Sequence, residues 1–323
     1  RPLIGCTPAL VASGGTVDLA IGRRNVEGGG RVQFYEHQNY RAVFGSRGSI
    51  AGSWKYDLYG SYYYTSLFQS SSNYVSIARV QQALLVRNGP NGPACINPAG
   101  GCVPYNIFQD GGVTDAALAY LDIAGTQRGS IAERIVEGTV TGDLGDYGIK
   151  SPMANDGVGV AFGFHNRRDH LEYTPDSAMR SGDVRGAGGA STIIDRSIRV
   201  TEAFVEGRVP LVQDRAMMKD LGVELGYRYS DYSTGIQAKT YKVGLNWAPT
   251  DDIRFRGSYQ SAIRAPSILE LYTPQSVTNT STVSVDPCAP TVVNGVVVPA
   301  TASFAQCQRS GVSAAQYGKG GSA

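Results

Sequence analysis

Residues 165–170, HNRRDH, place two imidazoles, two guanidiniums and a carboxylate within a single short stretch. Such a set could ligate a metal or clamp an anion. A helical zinc site would need the H-E-x-x-H spacing, and His165 and His170 do not make it. His37 stands alone. There is no G-x-S-x-G nucleophile elbow. GVSAAQYGKGG (311–321) has neither P-loop spacing nor a Ser or Thr after Lys319. Asp251-Asp252 reads as a turn pair rather than a metal site. These patterns point away from an enzyme, and they call for no metal and no cofactor.

Cysteine is the other reactive side chain. The five cysteines stand at 6, 95, 102, 288 and 307, and none forms a C-x-x-C. A zinc ribbon or thioredoxin-like site is therefore disfavoured. Cys95 and Cys102 lie in the Pro/Gly/Asn-rich PACINPAGGC, and Cys288 and Cys307 bracket a second loop. Two local disulfides in an oxidising compartment are expected, each contributing roughly 2–3 kcal/mol on the chain-entropy model. The alternative is free thiols in a reduced protein. Cys6 is left over, with a partner expected upstream of Arg1.

The elements that carry these residues follow from composition and period. The 323 residues include 41 glycines and 19 tyrosines, only 17 % are charged, and the formal net charge is +2. That profile suits strands and long turns. Near-neutral charge without a like-charge block gives no reason to expect nucleic acid. No run approaches the roughly 18 apolar residues of a membrane helix. A β-barrel stays open, because its lipid face occupies only alternate residues.

Alternation is strict in seven segments: 40–50, 54–68, 157–167, 201–211, 221–230, 240–248 and 253–263. In 221–230, for example, Leu221, Val223, Leu225, Tyr227 and Tyr229 oppose Glu224, Gly226, Arg228 and Ser230. Segments 15–25 and 129–141 mix their faces and are read as strands on weaker alternation. If each strand is antiparallel to the next, the short connections 50–53, 142–156, 210–220 and 249–252 share one end. The long segments 69–128, 173–196 and 264–323 share the other, with short exceptions at 26–32 and 234–237. Trp54 and Trp247 then sit at the short-turn end, facing lipid as an aromatic girdle. Short helices are expected at 114–125, capped by Thr114 and stopped by Gly125, and at 303–311.

The runs VTEAFVEGRVPLVQD (200–214), LGVELGYRYSDYS (221–233) and KTYKVGLNWAPTDDIRFRGSYQSAIRAPSILELY (239–272), with DPCAP and AQCQRSGV, resemble TonB-dependent outer-membrane receptors. RNVEGGGR (24–31) and WKYDLYGSYYYT (54–65) look like upstream barrel segments of that family. The resemblance implies an all-β protein, an antiparallel transmembrane β-barrel segment with long extracellular loops. About nine strands would belong to a larger barrel of roughly twenty-two, closed around a plug. Residues 1–323 are read as its middle portion, because the chain starts at Arg1 without Met or signal peptide and ends in a Gly-rich stretch.

On this reading Arg254, Arg256 and Gln260 face the lumen, and Lys242 neighbours Arg254. The resemblance implies active import of a scarce extracellular substrate across the outer membrane of a Gram-negative bacterium. The expected partners are outer-membrane lipid, the extracellular substrate, and the TonB energy-transducing complex acting through the plug. Candidate substrate contacts at the mouth are His165, Arg167, Arg168, Tyr229, Tyr232, Arg264 and Tyr272; arginine suits carboxylate or phosphate, and tyrosine suits an aromatic or sugar face. A passive porin shares the alternation, as does a soluble β-sandwich whose apolar face packs on protein.

Overall fold

The computed structural model describes residues 7–15, 23, 25–274, 286–293 and 296–318. In chain order its elements are α1 (Pro8–Ala12), β1 (Val32–Ala51), β2 (Trp54–Val75), α2 (Ile77–Leu84), β3 (Val86–Gly89), β4 (Gly92–Cys95), α3 (Asp115–Leu121), β5 (Asp122–Asp143) and β6 (Gly159–Pro175). There follow α4 (Ser177–Ser181), β7 (Ile194–Arg215), β8 (Met218–Tyr232), β9 (Gln237–Ala248), β10 (Phe255–Ser261), α5 (Ile268–Tyr272), β11 (Thr291–Val293), β12 (Val296–Val298) and α6 (Phe304–Gln308). Eight strands form one sheet in the order β1-β2-β5-β6-β7-β8-β9-β10, and every pair is antiparallel. Each of the seven strictly alternating segments contributes a strand to this sheet, 157–167 from Gly159 onward and 253–263 over Phe255–Ser261, and 129–141 lies within β5. The candidate strand 15–25 has residues 16–22 and 24 outside the described residues, as are Cys6 and Lys319.

Antiparallel neighbours joined in sequence send alternate connections to opposite ends. Residues 52–53, 144–158, 216–217 and 249–254 link strands at one end; 76–121, 176–193 and 233–236 do so at the other. The turn end is tight. Gly52 takes φ 54°, which an L side chain rarely adopts, and Asp146 Oδ2 accepts from Ser53 N at 3.1 Å. The loop end is built up. It carries α2, the β3-β4 hairpin and α3 in one connection and α4 in the next, with Cys95 bonded to Cys102 and Cys288 bonded to Cys307.

Each strand has two unlike faces. The outer one carries Phe44, Leu58, Val136, Phe162, Phe164, Leu225 and Leu245, all exposed, with Phe44 88 % accessible. A contiguous apolar face of this extent fits acyl chains. Among the described residues no second sheet packs on it; the other two sheets are two-stranded hairpins. Trp54 and Trp247 stand beside the short turns. The Trp54 indole donates to Tyr147 Oη at 3.1 Å, and that of Trp247 to the Met217 carbonyl at 2.9 Å, so each ring is tied to a turn.

Four local expectations change. The connection 210–220 shrinks to Ala216-Met217, because Pro210 sits inside β7. It is tolerated there because the β7-β8 register slips between Pro210 and Val212, and the β6 ladder ends at Arg208. Gly125 does not stop a helix. It lies in β5, where a Cβ would collide with Met179. The strand expected over 253–263 is regular only from Phe255 to Ser261, and Gln260, not Arg254, stands opposite Lys242.

Candidate functional site

The inner face is divided into two tiers. In the lower tier, one row of side chains crosses five strands at a single register. Tyr59 opposes Glu137, Glu137 opposes His165, His165 opposes Glu202, and Glu202 opposes Ser230. Tyr59 Oη donates to Glu137 at 3.1 Å, and Ser230 Oγ donates to Glu202. His165 Nε2 is 4.0 Å from Glu137, and its Nδ1 is 3.1 Å from Glu202. The Nδ1 contact lies off the N–H axis, so that nitrogen makes no directed hydrogen bond. Arg228 reaches Glu202 at 3.4 Å. Arg228 and Glu202 thus meet as an opposite-charge pair between neighbouring strands, as cross-strand pairing favours.

One row nearer the turn end, Gly163 opposes Phe204 and Phe204 opposes Arg228. Phe204 is an aromatic among charges, and it fits because Gly163 leaves room: a Cβ there would fall onto its ring. The Arg228 guanidinium covers the same ring at 4.8 Å. Further along, Glu224 accepts from Lys242 and Asn246 at 2.9 and 2.8 Å. Of these side chains Glu202, Phe204, Glu224, Arg228, Ser230 and Lys242 line an open hollow of about 890 Å³.

The upper tier is apolar. Leu171, Ile194, Ile198 and Ile268 form a buried cluster, with Tyr173 and Tyr272 packed against it. Ile268 belongs to α5, which folds back over the inner face of β7. A capping box starts α5: Ser267 Oγ accepts from Glu270 N at 3.3 Å, and the Glu270 carboxylate accepts from Ser267 N at 2.8 Å. Arg264 forks onto that carboxylate with two bonds of 2.9 Å. Those bonds, with the one from Ser267 N, hold the Glu270 carboxyl at about 2. Beside the cluster lies a cavity of about 550 Å³, lined by His37, Leu67, Ile131, Tyr173 and Leu269 and bounded by 187–192.

The loop above this cavity is fixed by carboxylates. Asp176 caps α4 by accepting from Met179 N at 2.8 Å, and it also accepts from Thr126 N and Thr126 Oγ1 at 2.6 and 3.0 Å. Partial burial pushes the Asp176 carboxyl up, but these bonds outweigh it and hold the group below its ordinary value. Asp183 accepts from Ser76 Oγ and from Ala78 N, which joins the connection 176–193 to the start of α2.

The structure separates the seven candidate contacts. His165 and Arg167 face inward but lie partway down the wall, below the mouth; Arg167 Nε is 3.3 Å from Asp169. Tyr232 lines the upper edge of the lower hollow. Tyr272 packs on the apolar cluster, with Arg196 5.6 Å over its ring. Arg168 and Tyr229 face outward, because each shares the strand parity of the apolar side chains: Arg168 with Phe164, Tyr229 with Leu225. Arg264 is committed to Glu270. Sequence reasoning missed Glu137, Phe204 and Ile268. The parity of Glu202 and Glu224 was a usable signal for Glu137, whereas nothing local marks Phe204 or Ile268.

Comparison with curated proteins and with solved structures gave no match. The family model described as TonB dependent receptor-like, beta-barrel, matches residues 10–296. With most of its length matched, and with an antiparallel meander that is apolar outside and charged inside, the chain belongs to the TonB-dependent receptor β-barrel family, whose members are outer-membrane transport receptors of Gram-negative bacteria.

Proposed function

We propose that this chain forms part of the wall of an outer-membrane receptor that captures a scarce extracellular substrate and imports it by TonB-coupled transport. One observation carries the reading: a loop-bounded apolar cavity of about 550 Å³ sits on the inner face at the loop end, directly above a charged wall. An apolar mouth retains a solute that has an apolar or aromatic face. The charged tier beneath it suits a hydrated contact with a plug domain. His165, Arg167, Tyr232 and Tyr272 remain the inward residues proposed to meet substrate or plug.

The sheet itself supports a larger closed barrel. Among the described residues, β1 and β10 each pair on one side only, and a bilayer does not tolerate open strand edges. We read the eight strands as an arc of that barrel, with the plug supplied by another part of the same protein.

Uptake in whole cells tests the proposal. Labelled ferric chelates, oligosaccharides and a cobalamin are offered at limiting concentration to cells with and without the gene. Receptor-dependent uptake of one of them is expected, and a proton uncoupler should abolish it. Uptake that survives the uncoupler would mark a passive porin and overturn active import. Leu269→Arg, which places a cation in the mouth cavity, is expected to lower uptake without lowering the amount of assembled protein.

A further inference from the structure

The outer face carries a second row. Arg134 of β5 stands directly opposite Arg168 of β6, and Arg168 directly opposite Arg199 of β7. All three are exposed. Neighbouring strands are about 4.8 Å apart, so three cations stand side by side across about 10 Å. Like charges directly opposite one another destabilise a sheet.

The protein does not neutralise them. Among the described residues, no carboxylate lies within 4.0 Å of any of the three guanidiniums, and none of them donates a hydrogen bond. Arg134 is held by the Tyr62 ring, 5.8 Å from its centroid. The carboxylates next above on this face, Glu172 and Asp195, turn instead towards His170 Nε2, at 3.1 and 3.8 Å. Each exposed guanidinium therefore keeps its donors without a protein acceptor among the described residues.

Their height on the wall identifies the counter-charge. Directly below the row comes one mixed step, in which Val136 stands opposite Asn166, Asn166 Nδ2 donates to Thr201 Oγ1 at 2.8 Å and the exposed Asp231 stands opposite Thr201; the outer face then turns apolar at Phe164 and Ala203. From Gly159 at the turn end, β6 reaches Arg168 after about the 9–11 residues that cross a hydrocarbon layer. The row thus lies where acyl chains give way to headgroups, a depth at which outward cations are nearly free of penalty. Guanidinium pairs with phosphate through two parallel bonds, and a span of about 10 Å admits more than one phosphate of a single headgroup.

We propose that Arg134, Arg168 and Arg199 form a binding site on the outer wall for the phosphorylated headgroup of an outer-leaflet lipid. The inference rests on the membrane placement of the sheet and not on import, so lipid binding is measured without any transport assay. The full-length receptor is reconstituted in nanodiscs of uncharged lipid and its thermal unfolding is followed during titration. Outer-leaflet lipid isolated from the same cells should raise the midpoint, and the rise should shrink as salt is added. The same lipid treated with phosphatase, and free inorganic phosphate, should raise it little.

A triple variant, R134Q/R168Q/R199Q, is expected to bind the phosphorylated lipid roughly tenfold more weakly or worse, since each lost charge-assisted bond counts. Its assembly is checked by heat-modifiable migration. If it fails to assemble, the wild-type arms still decide. An equal shift from dephosphorylated lipid overturns the proposal, as does an equal shift from free phosphate, which would show a site for any anion. A folded triple variant with unchanged affinity overturns it too.

Discussion

Two rows of side chains cross the same strands on opposite faces, three residues apart along β6, and they treat charge in opposite ways. On the inner face, Glu137, His165 and Glu202 alternate acid with base, and Tyr59, Ser230 and Arg228 complete the remaining bonds. On the outer face, Arg134, Arg168 and Arg199 repeat one sign with no carboxylate partner among the described residues. A strand ladder imposes the same spacing on both rows, so the backbone does not cause the difference. What differs is the surrounding medium. A row that meets a hydrated lumen must satisfy itself, whereas a row that meets a phosphate-rich layer can leave its charge for that layer to answer.

The sharpest way to break the inner row is to attack its floor. Gly163→Val drives a branched side chain into the Phe204 ring and displaces the Arg228 stack, so a loss of about 3 kcal/mol is expected, read as lowered thermal stability of the assembled receptor. Unchanged stability would mean that Phe204 has another place to go. Next comes the row's central acid. Glu202→Gln withdraws the negative partner of His165 and Arg228 from a site only 12 % exposed, and about 2 kcal/mol should be lost. Glu202→Gln at Arg228→Gln should lose less than the two single losses added together, because the two groups are coupled.

The outer row offers the converse. Arg168→Glu turns three like charges into an alternating row, which should gain about 0.5–1 kcal/mol in lipid-free detergent. In phosphorylated outer-leaflet lipid the same change should destabilise, and a gain in both media would refute the contrast drawn between the faces. The smallest effect concerns the cover over the inner row. The Asp176 carboxyl is held below its ordinary value of 3.8, so its stabilising contribution is complete above that value and is lost as pH falls through the depressed one. Hydrogen exchange at Thr126 and Met179 should therefore quicken in strong acid, corrected for intrinsic rate. Asp176→Asn should show similar fast exchange already at neutral pH.

Most of the sheet was legible because period two is a local property. Each of Leu225, Leu245 and Phe162 declares its face through its own neighbours, and the tight turns at 52–53 and 249–254 declare the ends. In β5 the signal blurred, because Ile131 and Ile135 share the inner face with Glu133 and Glu137 where the wall passes from its apolar to its charged tier. The rows were not legible. That Arg134, Arg168 and Arg199 stand abreast depends on the lengths of two intervening connections, and no window along the chain contains them together. The arginines of HNRRDH also looked like a pair, although adjacent residues of a strand point to opposite sides. Ile268 lies beyond β10, and only tertiary packing brings it back to Leu171 and Ile194.

The strands also differ in height. β2, β5 and β7 each run 22 residues, whereas β8, β9 and β10 fall to 15, 12 and 7, so roughly 75 Å of ribbon on one side descends to roughly 24 Å on the other. The loop-end edge of the described sheet is therefore a slope, and on its low side β10 pairs with β9 only as far as Ser261 opposite Tyr241, so that height there must come from chain beyond the ladder and not from the ladder itself.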